Sequence, residues 1–184
     1  MRNADIIFSG KLFVFEGPDG VGKTTVVQAV AKELRARTIP CECLAFPGRE
    51  DGTVGQLIYR LHHNPGAVGL TSSVSPLALQ ALHVAAHVDS IDTRIRPALL
   101  AARCVLLDRF WWSTWVYGRV AGIPAKPLEA MIDFERLVWG AIQPAAVFVV
   151  SRRTAGEPAL TAEYKRLAAR ERKRSACIRP ASRT

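Results

Sequence analysis

The clearest chemistry in the chain lies in Gly17-Pro18-Asp19-Gly20-Val21-Gly22-Lys23-Thr24, which fits the spacing GxxxxGK[ST]. Glycines at these positions let backbone amides turn inward as a cradle for a polyphosphate. The helix that follows adds positive potential at its start, the Lys23 ammonium reaches the β and γ phosphates, and the Thr24 hydroxyl can ligate Mg²⁺. The pattern predicts a nucleoside triphosphate site running from Gly17 to Thr25. A second chemical group closes an apolar run, Cys104-Val-Leu-Leu-Asp108-Arg109. A carboxylate at such a strand end stands beside the metal and its waters, so Thr24 and Asp108 are the expected Mg²⁺ ligands.

A GTPase would need an NKxD motif to read its base, and the only asparagines are Asn3 and Asn64, the latter followed by Pro65. That class is excluded. Lys23 and Asp108 stand 85 positions apart, room for a second strand and a long helical insertion that can hold a second substrate over the phosphate site.

The elements that must position these groups alternate between short β-branched runs and longer helical patterns, the mark of a parallel α/β sheet. Leu12 to Glu16 reads as the first strand, Lys23 to Arg37 as a helix ended by Pro40, and Cys41 to Phe46 as the second strand. Arg103 to Leu107 and Ala146 to Ser151 are two more strand-length runs, and a fifth is expected near Ala176 to Ile178. Ser75 and Pro76 are placed as N-cap and first residue of a helix reaching Leu100. Along it Leu77, Val84, Val88, Ile91 and Ile95 form an apolar face, and Gln80, His83, His87, Ser90 and Arg94 a polar stripe in the same rhythm. A polar stripe of this kind reads either as a solvated face or as a pocket wall.

At 184 residues with 49% hydrophobic and 22% charged side chains, the chain is expected to fold as one domain over residues 1–184. The net charge of +9 is concentrated: residues 1–151 hold 15 basic and 13 acidic groups, residues 152–184 hold 10 and 3. The body is near neutral, which weakens an argument from charge to nucleic acid. The cysteines, Cys41, Cys43, Cys104 and Cys177, make neither a CxxC pair nor a zinc spacing and suit a reducing compartment. No continuous apolar run approaches the ~20 residues of a membrane span, and Met1 to Gly10 lacks a signal-peptide core. A soluble cytoplasmic protein is expected, with neither a membrane nor a nucleic-acid partner.

Phe46-Pro47-Gly48-Arg49, the helix end Ile95-Arg-Pro-Ala-Leu99, and Asp108-Arg-Phe-Trp-Trp-Ser113 with Tyr117 resemble the thymidylate kinases, which carry FPER or REPGG, IxPAL and DRxxxSxxAY in this order. The resemblance covers Lys11 to Gly122, and more weakly the run at Ala146 to Ser151. It implies a three-layer P-loop NTPase fold with a parallel sheet of about five strands. The activity it implies is nucleoside monophosphate kinase, moving the γ-phosphate of ATP to dTMP with Mg²⁺, in a homodimer that acts on small nucleotides. Carried over by position, Asp19 meets the acceptor sugar, Arg49 binds the acceptor phosphate and bridges toward the donor, and Phe46 belongs to the same acceptor motif. Asp108 stands at the metal and Arg109 on the acceptor phosphate, with Ser113 and Tyr117 as pocket wall. Lys23, Arg49, Asp108 and Arg109 are then the catalytic set. The chemistry is consistent with these residue types. A monophosphate oxygen is already ionised and needs no general base, so the task is to bring two polyanions together and neutralise charge.

Three departures bear on this expectation. Where the family places a base-stacking aromatic and, four residues on, a base-contacting arginine, this chain has His83 and His87. A glutamine after the family tyrosine is replaced by Gly118, with Trp115 adding bulk nearby. No lid DR motif is visible; Arg152 and Arg153 are the candidates for its arginines, and the basic segment 152–174, including a helix-like Thr161 to Arg174, is either a lid or a solvated helix. Alternatives therefore stand beside the kinase: a nucleotide-binding homologue that has lost catalysis, a deoxynucleoside kinase with Glu16 as base, and a nucleic-acid module resting on the basic tail alone. Arg49 argues against the nucleoside acceptor, which offers no phosphate to clamp.

Overall fold

A computed structural model describes residues 9–152 and 156–177. Among them, strands β1 (Leu12–Glu16), β2 (Cys41–Ala45), β3 (Cys104–Asp108) and β4 (Pro144–Val149) form one parallel sheet in the order β2-β3-β1-β4. Helix α1 (Lys23–Ala36) covers one face, where Phe15 and Leu106 meet Val27 and Ala31. The alternate residues of the same strands, Leu12, Val14, Val105 and Leu107, point to the other face and into a larger core. After α3 (Pro76–Ser90) in the chain, that core is built from α4 (Arg96–Leu100), α5 (Trp111–Val120), α6 (Ala125–Trp139) and α7 (Pro158–Cys177). Period-two burial on both faces makes three layers.

The expected strands are present with ends shifted by one or two residues, as capping and pairing decide them. The expected fifth strand is not: Ala176 and Cys177 lie in α7, and Ile178 falls outside the described residues. The segment from Ser75 is helical as expected. Ser75 accepts a hydrogen bond from the Ala78 amide at 3.3 Å, and Pro76 occupies the first turn. A π-helical stretch over Ile91–Ile95 separates α3 from α4, with Ile91 and Ile95 fully buried. Helix α2 (Val54–His63), capped by Thr53 through the Gln56 amide at 3.1 Å, packs against α3.

Two sequence expectations change here. Leu77 is exposed, so the apolar face of the long helix starts at Val84, while Gln80 and His87 of the polar stripe are buried. Gln80, His83 and His87 of that stripe border a cavity under α2, whereas Arg94 pairs with Glu42 and Glu50. Helix α7, weighed as a lid or a solvated helix, docks Leu160, Tyr164 and Leu167 against α5. Lys165 and Arg166 are exposed on it, and Arg170 is half-buried against the Trp115 ring.

Candidate functional site

The P-loop follows β1 and ends at Gly22, whose φ of 95° lies in the left-handed region that glycine enters without strain. Lys23 opens α1 with its side chain folded back, Nζ donating to the Pro18 carbonyl at 2.8 Å. Burial, with the Arg109 charge as a second cause, lowers the Lys23 pKa; nearby Asp108, Asp19 and Glu16 oppose this. Thr24 Oγ1 donates to Asp108 Oδ2 at 2.8 Å, bringing together the two expected metal ligands. The other carboxylate oxygen, Asp108 Oδ1, is buried with no hydrogen-bond partner. A buried anionic oxygen without a donor is costly, so this pair fits a divalent cation at its open side.

Asp19, Gly20, the run from Gly22 to Thr25 and the strand ends at Leu44 and Asp108 line a cavity of about 650 Å³. A second cavity of about 140 Å³ lies under α2, α3 and α5. The two meet at Asp19, Phe46, Arg49 and Arg109, which line both. Arg49 is exposed and its guanidinium stands 4.4 Å from the Tyr59 ring centroid.

Arg109 adopts φ 77°, a left-handed backbone that a β-carbon disfavours, and this turns its side chain across the junction. Its guanidinium donates to Ser113 Oγ at 3.0 Å, to Tyr117 Oη at 3.2 Å, and to Asp19. Tyr117 Oη donates to the second Asp19 oxygen at 2.6 Å. Desolvation alone would raise the Asp19 carboxyl, but Arg109, Tyr117 and Lys23 outweigh it and hold it below its ordinary 3.8. Tyr117 is pushed up to about 12, by burial first. These partners favour the anionic form of Asp19 and the cationic form of Arg109.

All four histidines of the chain line the smaller cavity. His87 stacks on Phe46 at 4.0 Å between ring centroids, and His62 meets the edge of His83 at 5.4 Å. Burial, aided by the charges of His87, His62 and Arg109, lowers His83 to about 3, so its ring is neutral and free to stack. Of the residues expected to form an acceptor site, Asp19, Phe46, Arg49, His83, His87, Arg109, Ser113 and Tyr117 all border this cavity.

Glu16 sits elsewhere. It is fully buried, and its Oε1 accepts from the Phe110 and Ser113 amides at 2.7 and 3.1 Å. Ser113 Oγ and Tyr164 Oη donate to its Oε2 at 2.7 and 3.0 Å. The carboxylate therefore caps the first turn of α5, where the orphan amides and the helix dipole favour an anion. Desolvation raises its pKa against the pull of Arg109 and these hydrogen bonds. It lines neither of the two cavities, so it is not placed to take a proton from an acceptor there.

Trp115 and Gly118 also depart from expectation. Trp115 faces α7, donating to Glu163 at 3.1 Å with the Arg170 guanidinium 4.5 Å from its ring, and adds no bulk to the cavity. A Cβ on Gly118 would stand 2.5 Å from Leu128 Cδ2, so glycine here lets α5 approach α6 closely. Arg152 is exposed beyond β4, and Arg153 lies outside the described residues. The chain then returns to the P-loop: a Cβ on Gly156 would come within 3.1 Å of Pro18 Cβ. The sequence reading missed Tyr59, His62, His63 and Thr114 of the cavity wall, and Tyr164 beneath it. Only the run of polar and aromatic side chains in α2 could have signalled the first three.

Residues 15–179 match the family described as thymidylate kinase. The thymidylate kinase of Symbiobacterium thermophilum is 31% identical over 137 residues, covering 74% of this chain and 60% of its own length. That of Pelotomaculum thermopropionicum is 36% identical over 122 residues, covering 65% of this chain and 53% of its own length. The chain spans between 52% and 64% of the curated relatives it matches. The crystal structure of thymidylate kinase from Ehrlichia chaffeensis has the same fold, with a TM-score of 0.72 at 22% identity, covering 89% of this chain and 86% of that one.

Proposed function

The chain belongs to the thymidylate kinase family, and from that premise we propose that it transfers the γ-phosphoryl group of ATP to the phosphate of a deoxynucleoside monophosphate, dTMP, giving the diphosphate and ADP. One observation carries this reading: the P-loop cavity and the histidine-lined cavity meet at two arginines, Arg49 and Arg109. A donor triphosphate in the first and an acceptor monophosphate in the second would bring their phosphates together there. Their mutual repulsion is the main barrier to close approach, and the guanidinium forks are suited to lowering it.

In this reading Lys23 leaves the Pro18 carbonyl to bind the β and γ phosphates, and the P-loop amides from Gly17 to Thr25 cradle them. Thr24 and Asp108 would hold Mg²⁺, which when bound would supply charge neutralisation to the transferring group. Arg49 swings from the Tyr59 ring onto the acceptor phosphate, and Arg109, already anchored by Ser113 and Asp19, orients it. Asp19 accepts from the acceptor sugar hydroxyl, and Tyr117 closes that side. His83 stacks on the base. Arg152, just beyond β4, would complete the donor side, and Arg153 lies outside the described residues.

Among the described residues no helix is long and apolar enough to cross a membrane. We read the protein as cytoplasmic and as a homodimer. The exposed side chains Leu57 of α2, Leu77 of α3, and Phe134 and Leu137 of α6 support a self-association face on these adjoining helices. The test of the activity is ADP formation from ATP and Mg²⁺ against dTMP, dUMP, UMP, CMP, dCMP, AMP and GMP, with thymidine as control. Turnover with dTMP and none with thymidine is expected; turnover with thymidine instead would overturn the monophosphate reading.

A further inference from the structure

Helix α7 docks on α5 through Leu160, Tyr164 and Leu167, all buried. Two of the three are aliphatic, and a phenylalanine at the third would fill the same space with no polar atom to desolvate. The Tyr164 hydroxyl is the feature that needs a reason, because burying a hydroxyl is costly unless it is hydrogen-bonded. Its Oη donates to Glu16 Oε2 at 3.0 Å and stands 2.8 Å from Ser113 Oγ. The side chain lines neither cavity, and the phosphoryl-transfer chemistry makes no direct use of it.

Ser113 Oγ links that hydroxyl to the junction of the cavities. Its own hydrogen goes to Glu16 Oε2 at 2.7 Å, Tyr164 Oη lies on a second side, and Arg109 Nη1 donates to it from a third at 3.0 Å. A hydroxyl oxygen has one donor and two acceptor directions, and all three are taken. With Glu16 and Tyr164 fixing two of them, the remaining lone pair faces Arg109. The other acceptors of the guanidinium, Asp19 and Tyr117, border the smaller cavity, whereas Ser113 is backed by Glu16 and Tyr164, both enclosed in the core. A ligand that engages Asp19 and Tyr117 leaves the Ser113 contact to hold Arg109. The helix that carries Tyr164 starts at Pro158, two residues after the glycine that stands against Pro18 of the P-loop, and Glu163 fastens it to Trp115 of α5 at 3.1 Å.

We propose that Tyr164 is a positioning residue for phosphoryl transfer: its hydroxyl, acting through Ser113, fixes the Arg109 guanidinium where the two cavities meet, so that a helix starting beside the P-loop sets the arginine that orients the acceptor phosphate. The inference rests on the monophosphate kinase reading of the same junction. A guanidinium fork grips an anion best when two of its N–H groups face it together, and a small misplacement of a reacting group is costly in rate. Without the Tyr164 hydroxyl, Ser113 regains a free direction and Arg109 a range of orientations.

The experiment compares Tyr164→Phe, Ser113→Ala and the double variant with the parent, all as the full chain. Steady-state kinetics with ATP, Mg²⁺ and dTMP are run beside ¹⁵N-arginine spectra of the ligand-free proteins, in which Arg109 is identified by the signal lost in Arg109→Lys. Tyr164→Phe keeps the ring that packs on α5, so its circular dichroism spectrum should match that of the parent; Tyr164→Met, likewise without the hydroxyl, serves in its place if it does not fold. The kcat/KM for dTMP should fall about tenfold, while the KM for ATP moves less than about twofold. In the Ser113→Ala background the same substitution should cost less than about twofold, because the hydroxyl acts through that serine. The guanidinium hydrogens of Arg109 should be separately resolved in the parent and averaged by rotation in Tyr164→Phe. An unchanged kcat/KM, an equal loss in both backgrounds, an equal rise in the KM for ATP, or an Arg109 signal indifferent to Tyr164 overturns the proposal. The spectra need no turnover. An Arg109 signal that depends on Tyr164 in a chain that makes no dTDP would sink the kinase reading alone, whereas dTDP formation with an indifferent Arg109 would sink only the positioning role.

Discussion

The two cavities that meet at Arg49 and Arg109 are built by different means. The phosphate side centres on one stretch of chain between Asp19 and Thr25, completed by the strand ends at Leu44 and Asp108; its ligands would be backbone amides, Lys23, and two side chains already joined by a 2.8 Å hydrogen bond. The base side has no such continuity. Phe46 comes from the end of β2, His62 from α2, His83 and His87 from α3, Ser113 and Tyr117 from α5, and each is set by packing between elements. A contiguous cradle tolerates change elsewhere in the fold, whereas an assembled pocket inherits every shift in helix packing.

That contrast can be broken at the cradle first. Lys23→Ala should lower kcat on the order of 10²- to 10³-fold while the circular dichroism spectrum stays the same; unchanged turnover would remove the P-loop from the account. At the junction, Arg49→Ala should cost about 10- to 100-fold in kcat/KM for the monophosphate. ATP binding, measured by titration calorimetry, should be little altered, and a loss confined to ATP would place Arg49 on the other substrate.

On the assembled side, Gly118→Ala should destabilise the fold by about 1–3 kcal/mol, read from the urea midpoint. The Leu128 side chain 2.5 Å from the new Cβ must give way, and α5 carries Ser113 and Tyr117 with it. The dTMP KM should rise in parallel. A variant with parental stability would show that the α5–α6 contact does not constrain the pocket.

Glu16 supplies a smaller effect with a defined sign. Its folded-state pKa lies above the ordinary 4.5, so the folded chain holds this proton more tightly than the unfolded chain. The stability it contributes is present below 4.5 and is lost as pH rises through the raised value. Glu16→Gln can keep the hydrogen bonds, its amide donating to the Ser113 and Tyr164 hydroxyls, while removing the titration. Its urea midpoint should therefore fall less than that of the parent as pH rises from 4.5 toward 7. Parallel profiles for the two proteins would show that this carboxyl does not titrate differently on folding.

What was legible in the sequence follows the same division. The strand before the P-loop, the helix after it, the Ser75 cap and the pairing of Thr24 with Asp108 rest on local residue types, and each is present. The acceptor residues were named through motifs, but their surroundings were not. Gln80 and His87 read as a stripe with no assigned side until α2 and α6 closed over them. Tyr164 was hidden in the most basic stretch of the chain, where charge obscures the spacing of Leu160, Tyr164 and Leu167. Glu16, legible as a carboxylate at a strand end, could be read as a base because only the fold shows α5 starting on top of it.

The central claim is that the two cavities hold donor and acceptor with their phosphates meeting between Arg49 and Arg109. The most direct test follows the phosphoryl group itself: the full chain is incubated with γ-³²P-labelled ATP, Mg²⁺ and dTMP, and the products are separated. Label in dTDP, with ADP formed in equal amount, is the predicted result. Label released only as inorganic phosphate, or retained in ATP while both nucleotides bind, would contradict it.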